Sequence, residues 1–236
     1  LDTLTMADLV AYIFECHERD LLPSAYQTDE VTFSFGNAEA LYWLIEATAE
    51  RRSGLGELLA EGFEPTIAAI GEQTRPFAMH VKGQGLAAHM PQGKPSQALM
   101  YAVTPQGADH QSCEHDWLID CGGEDAMGLG LYGHSARDAM DSEKIRASAY
   151  SQYYYSLLDT LCLCMFVWGP GNLFTYQELE ELLQATCGWR MTFWELMKVG
   201  ERRIIMMRVI NQLRGIDASA DALPDRMFEP LPDGPT

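Results

Sequence analysis

Apolar residues recur with a helical period along most of this chain. Between residues 5 and 22, Leu9, Tyr12, Ile13 and Cys16 share one face, Thr5 or Asp8 can cap the start, and Pro23 stops the run. Residues 29–36, DEVTFSFG, alternate apolar and polar and predict a short strand. Asn37 suits the N-cap of a second helix, in which Leu41, Leu44, Ile45 and Thr48 share a face before Gly54 and Gly56 break it. Short helices are expected at 55–61 and 65–71, ended by Gly62 and Gly71. From 76 to 135 the period dissolves, and Pro, His and Gly crowd the sequence, with Gly83, Gly85, Gly93, Gly107 and a run from Gly122 to Gly133. Irregular stretches of that length hold a site or a mobile loop. Helical spacing returns over 136–167; Thr175 caps a helix to Thr186 closed by Gly188, and Thr192 caps a long one to Arg214 closed by Gly215. The tail from 216, rich in Pro and Asp, reads as an extended strap. The expected fold class is mainly α, with a helical, loop-bearing domain at 1–135 and a helical domain at 136–236.

Composition narrows the function classes. The chain is 236 residues long and 47% apolar, enough for one large or two modest cores. With 34 acidic against 16 basic residues, its net charge of -18 argues against nucleic acid, whose binding rests on neutralising phosphates. No run of 18 uncharged apolar residues predicts a membrane span. No secretory signal opens the chain, and Leu1 already begins sequence that reads as folded protein, which points to a fragment or a processed chain. Six cysteines (Cys16, Cys113, Cys121, Cys162, Cys164 and Cys187) lie at scattered spacings with no C-x-x-C pair, so a reducing cytoplasm fits better than a disulfide framework.

Three stretches carry chemistry. In LLDTLCLCMFVWG (157–169) an aspartate and two cysteines interrupt a segment built for a core. Burying a carboxylate unpaired is costly, so Asp159 demands donors. Cys162 and Cys164 cannot both face one ligand from a regular helix, unless the helix ends there. Either thiol can fill a core as a small hydrophobe, or be the last ligand of an iron–sulfur cluster. Between Asp109 and Asp116 lie two His, two Asp, Glu114 and Cys113, a set suited to general acid–base work, to a metal, or to a solvated turn. His80–Leu86, HVKGQGL, sets Lys82 beside two glycines whose backbone can approach an anion, without the spacing of a P-loop.

The whole chain resembles the C-terminal part of the tungstopterin aldehyde:ferredoxin oxidoreductases. Leu1–Thr3 with Phe14–Cys16 is similar to the family's "LDT…ECYE", and FAMHVKGQGLAAHMPQG (77–93) to "VKGLELPAYDPRG". Tyr101–His110 is similar to "YAT…RGACH", and Asp159–Cys164 to "DSLGLC". GERRIIMMRVINQLRG (200–215) resembles "GERIWNLERLFNVREG", and LPDRMFEPLPDGP (223–235) resembles "LPERFLEEPLPDGP". Six matches fall in order.

The resemblance implies a helical two-domain C-terminal part of such an enzyme, inactive alone, with its cofactors shared with an N-terminal half of the same polypeptide. It implies a tungsten (or molybdenum) bis-pterin, with Asp2 and Asp159 in the two pterin-holding motifs and Lys82 in a cofactor-facing segment. It also implies that Cys164 is the fourth thiolate of a [4Fe-4S] cluster and that His110 lies beside the metal, suited to proton transfer. The implied activity is oxidation of an aldehyde to an acid, with electrons passing to ferredoxin or another carrier, in a cytoplasmic protein with room for a homodimer. Cys162 replaces the motif glycine, and Gln92 and Gln106 replace family arginines, which leaves open which thiol ligates and which substrate is used. The rival readings are a related reductase of acyl-CoA esters or aromatic rings, and a cofactor-free helical interaction domain.

Overall fold

The computed structural model describes residues 1–116, 124–133, 135–170 and 172–231. Cys121, Gly122 and Gly123, named above, lie outside the described residues. The architecture is mainly α, and the only sheet among the described residues is a two-stranded hairpin. Contacts sort the chain into two units, Leu1–Ala88 joined by Leu223–Glu229, and a second that holds His89–Ala222. The boundary expected near 135 falls inside the second unit, because Asp116 and the helix beginning at Pro95 bond or pack against the helix that starts at Ser142.

In the first unit, helix α1 (Thr3–Glu18) buries Leu9, Tyr12, Ile13 and Cys16 on the anticipated face. Its cap is Asp2 rather than Thr5 or Asp8, with the Leu4 N–H donating to Asp2 Oδ1 at 3.1 Å. Asn37 caps α2 (Ala38–Glu50), and α3 (Leu55–Leu59) and α4 (Phe63–Ile70) follow. Residues 29–36 form no strand. Their alternation instead seats Phe33 against Trp43 (ring centroids 5.6 Å apart) and Phe35 against Phe14 (5.7 Å). A strand needs a partner to take its backbone hydrogen bonds, and DEVTFSFG packs its rings without one.

The hairpin pairs β1 (His80–Val81) with β2 (Gln84–Gly85) around Lys82 and Gly83, both at positive φ, as a tight two-residue turn requires. A Cβ on Gly85 would lie 2.3 Å from Asp8 Oδ2 and 2.9 Å from Thr5 Cα, so this glycine exists for contact with α1. The segment read as an anion-approach loop is therefore first a docking turn. In the tail, Arg226 holds Glu15 through two bonds of 2.7 and 2.8 Å.

In the second unit, α5 (Pro95–Val103) and α6 (Glu124–Gly128) interrupt the glycine-rich stretch. The core is α7 (Ser142–Thr160), followed by α8 (Met165–Trp168), α9 (Tyr176–Cys187) and α10 (Phe193–Leu213). Thr175 and Thr192 both close full capping boxes with Glu178 and Glu195, as the two Thr-x-x-Glu spacings require. No helix of the described residues is long and apolar enough to cross a membrane.

Candidate functional site

The Asp159–Cys164 stretch is a helix end, which resolves the geometry that a regular helix forbade. α7 stops at Thr160, Leu163 N–H donates to Leu158 O at 2.9 Å, and Cys162 N–H donates to Asp159 O at 3.1 Å. That bonding is a Schellman close, and its penultimate residue must be left-handed. Cys162 takes that place at φ +57. The glycine of the related motif suits this backbone position, and a residue with a Cβ is strained there by roughly 1–2 kcal/mol. Cys162→Gly is expected to raise stability by about 0.5–1 kcal/mol, after the extra entropy of an unfolded glycine is deducted. A thermal midpoint equal to or below that of the parent protein would contradict this account.

The same close turns the segment outward. Asp159, expected to be buried, is exposed, and its Oδ2 pairs with Arg203 at 3.1 Å. The reason is that α7 buries Leu157 and Leu158 and then ends, so the next residues leave the core. Partial burial pushes the Asp159 carboxyl pKa up, Arg203 pulls it down, and the Asp109 carboxylate pushes it up again. Cys162 and Cys164 are both exposed, so neither is core filler. Asp159 and Cys164 line one cavity of about 400 Å³ with Gln106, Asp109 and Leu163. Tyr155, Met165 and Phe166 form a wall that this cavity shares with a second one of about 410 Å³, lined also by Lys94, Glu114, His115 and Arg137.

The titratable run Asp109–Asp116 divides into structural and open members. Asp116 is fully buried, and its Oδ1 accepts from Lys144 Nζ at 2.7 Å and from Ser96 N–H at 3.0 Å. Cys113 is buried too, and burial pushes its thiol pKa well up, away from a reactive thiolate. Asp109 accepts from Gln106 Nε2 at 2.8 Å and from Gln111 N–H at 3.0 Å, closing its own turn. Glu114 accepts the Tyr155 hydroxyl at 2.8 Å.

His110 is different. Its ring lies 5.2 Å from that of His89 and 6.2 Å from that of His115. Its buried Nδ1 has no hydrogen-bond partner among the described residues. Burial lowers its pKa, so the imidazole is neutral near pH 7 and can accept a proton. Sequence reasoning missed the group around it. Lys94 Nζ stands 3.3 Å from His89 Nδ1 and 3.4 Å from His115 Nδ1, while His115 Nε2 bonds the His110 carbonyl. Lysine can only donate, so Lys94 sets both rings as Nε2–H tautomers. A lone Lys between Gly93 and Pro95 carries no local signal of this role.

The sequence-predicted residues fall in both units. Asp2, capping α1, and Lys82, at the hairpin turn, belong to the first; His110, Asp159 and Cys164 belong to the second. Of these, one cavity brings Asp159 and Cys164 together. No group of three or more His, Cys, Asp or Glu among the described residues could hold a metal ion. The described residues by themselves do not make a metal centre, while the exposed Cys164 thiol in this cavity is accessible to a group held from elsewhere.

Residues 1–236 match the protein family described as "Aldehyde ferredoxin oxidoreductase, domains 2 & 3". The chain belongs to that family. It is 31% identical over 238 residues to the tungsten-containing aldehyde ferredoxin oxidoreductases of Pyrococcus furiosus and Thermococcus kodakarensis, covering all of this chain and 37% of each relative. An aliphatic sulfonate oxidoreductase, WOR-like subunit, of Pyrococcus furiosus is 25% identical over 248 residues. In fold, the chain is similar to the active-site complex BamBC of benzoyl coenzyme A reductase in complex with 1,5-dienoyl-CoA, at a TM-score of 0.75 and 18% identity over 99% of this chain and 39% of that one. The chain thus spans little more than a third of the length of these relatives.

Proposed function

We propose that this member of the family works as part of a tungsten-pterin enzyme that oxidises aldehydes to carboxylic acids and passes the electrons through a [4Fe-4S] cluster to ferredoxin or a similar carrier. The observation that carries the reading is the shared cavity of Asp159 and Cys164, placed by a helix end whose left-handed residue stands where the family motif has glycine. Cys164 would supply one cluster thiolate. Asp159 and Asp2 would hydrogen-bond the pterins, and Lys82 would face the cofactor's anionic groups. Segments beyond these residues would supply the other thiolates.

When bound, the tungsten-pterin group supplies two-electron oxidation of the substrate carbon; the chain's residues supply position and proton handling. Hydration and oxidation of an aldehyde release two electrons and two protons. His110, neutral and with an unpartnered Nδ1, takes one of those protons. His89 and His115, each held at Nδ1 by Lys94, fix the ring's surroundings.

In the complete polypeptide, Cys164→Ser is expected to lose the cluster's visible absorption and most of its iron, whereas Cys162→Ser keeps both. Retention of iron in the first variant, or its loss in the second, would move the ligand assignment. Complete protein that is colourless and free of iron and tungsten would leave only a helical interaction module.

A second reading, reduction of aromatic acyl-CoA esters, draws on Gln92 and Gln106, which stand where related segments carry arginine. Gln106 here donates to the Asp109 carboxylate. Parallel assays with aldehydes and with benzoyl-CoA separate the two.

A further inference from the structure

We propose that His115 is a positioning residue for the proton step: by donating to the His110 carbonyl it fixes the backbone that aims the His110 ring, and Lys94 holds it in the neutral form that can donate there. This rests on the reading of His110 as proton acceptor given above. The His110 ring has few bonds of its own. Its buried Nδ1 has no partner among the described residues, and its Nε2 lies 3.4 Å from Nε2 of the adjacent Gln111. Its direction is therefore set by its backbone and by the His89 ring packed 5.2 Å away.

That backbone is gripped at two successive carbonyls. Gln97, fully buried on α5, donates from Nε2 to the Asp109 carbonyl at 3.1 Å, and His115 Nε2 bonds the next carbonyl, that of His110. Gln97 is an amide and donates in its only form. His115 is an imidazole, and when neutral it donates at Nε2 only if the single proton sits there. Lys94 decides that. Its ammonium stands 3.4 Å from His115 Nδ1 and has no lone pair to offer, so Nδ1 accepts and the proton is left on Nε2. The root of the ring is fixed as well, since the His115 N–H donates to Glu114 Oε1 at 3.1 Å. The second Lys94 bond, to His89 Nδ1 at 3.3 Å, sets the neighbouring ring in the same way. Lys94 thus serves the proton step from a distance, mainly through the tautomer of His115.

The test uses the complete, metal-loaded enzyme with acetaldehyde, an uncharged substrate. His115→Phe keeps the bulk of the ring and loses the donor; His115→Gln loses the ring and places an amide N–H near the former Nε2–H. In His115→Phe, kcat is expected to fall about ten-fold or more with KM within about two-fold of the parent, and in His115→Gln most of that loss is recovered. Lys94→Met should lower kcat by about five-fold in the parent and by less than about two-fold in His115→Gln, because an amide has no tautomer to set. Acylation of His110 by diethyl pyrocarbonate, mapped by mass spectrometry, reads the same hold without turnover. It should be several-fold faster in His115→Phe and close to the parent rate in His115→Gln, with tungsten and iron contents equal in all. A His115→Gln enzyme as poor as His115→Phe would overturn the proposal. So would a Lys94→Met cost as large in His115→Gln as in the parent, or loss of tungsten or iron in His115→Phe. If His115→Phe does not fold, the Lys94→Met comparison decides alone. If no aldehyde is turned over, the proton-acceptor reading fails by itself: acylation that speeds up in His115→Phe and not in His115→Gln still upholds the hold on His110, and equal rates overturn it.

Discussion

Lys144→Met unfolds the protein on the order of 10 °C below the parent, a loss of about 3–5 kcal/mol. Lys144 and Asp116 are both fully buried and 2.7 Å apart. Removing one member leaves an unanswered charge out of water, which costs far more than the pair contributes. The loss reaches further than one bond. Lys144 Nζ also donates to Arg137 O at 2.9 Å, and Asp116 also takes the Ser96 N–H next to the start of α5. The pair therefore ties the His110–His115 loop, the approach to Lys94 and the backbone of Arg137 to α7. Asp116 sits at φ +72, a conformation that asparagine tolerates, so Lys144→Met with Asp116→Asn should recover part of the lost midpoint. A single variant within 2 °C of the parent would mean that water or another group answers Asp116.

Gly200→Ala costs at least ~3 kcal/mol, although alanine normally favours a helix interior over glycine by about 1 kcal/mol. A Cβ at this position would lie 1.9 Å from Tyr153 O and 2.9 Å from Leu157 N. The obstacles are backbone atoms of α7, which cannot rotate away as a side chain can. Ser156 Oγ donates to Gly200 O at 3.0 Å, so the two helices meet backbone to backbone. Separating them would move Arg203 away from Asp159, three residues along α10. Thermal unfolding measures the cost; a midpoint unchanged or raised in Gly200→Ala would show that α7 and α10 cross more loosely than this.

The GERR run at 200–203 shows where sequence reasoning reached and stopped. In the sequence the run appears only as part of a family-like motif, whereas Arg203 forms an ion pair with the very aspartate singled out 44 residues earlier. Gly200, which carries no local signal of this role, is where α7 and α10 meet backbone to backbone. The Asp109–Asp116 run was visible as a dense titratable cluster. Its division into a buried anchor (Asp116), a sealed thiol (Cys113) and an imidazole with an unpartnered Nδ1 (His110) was not, since burial is a property of what packs above. DEVTFSFG had the alternation of a strand and no strand to pair with.

The sequence was sufficient for much of what lies within one turn of chain, the cap of α1 excepted. Thr175, Thr192 and Asn37 cap because a side-chain oxygen reaches a backbone N–H two or three residues ahead, and Gly188 and Gly215 end helices because only their own φ is at stake. It also held the ordered motifs that mark the family. Folding in three dimensions settled the rest: that Asp159 faces outward onto Arg203, that Lys94 stands between two histidines, and that Lys144 is buried on Asp116. Those outcomes join residues 5 to 44 positions apart, and their energies depend on how much water each packed neighbour excludes, which no local spacing records.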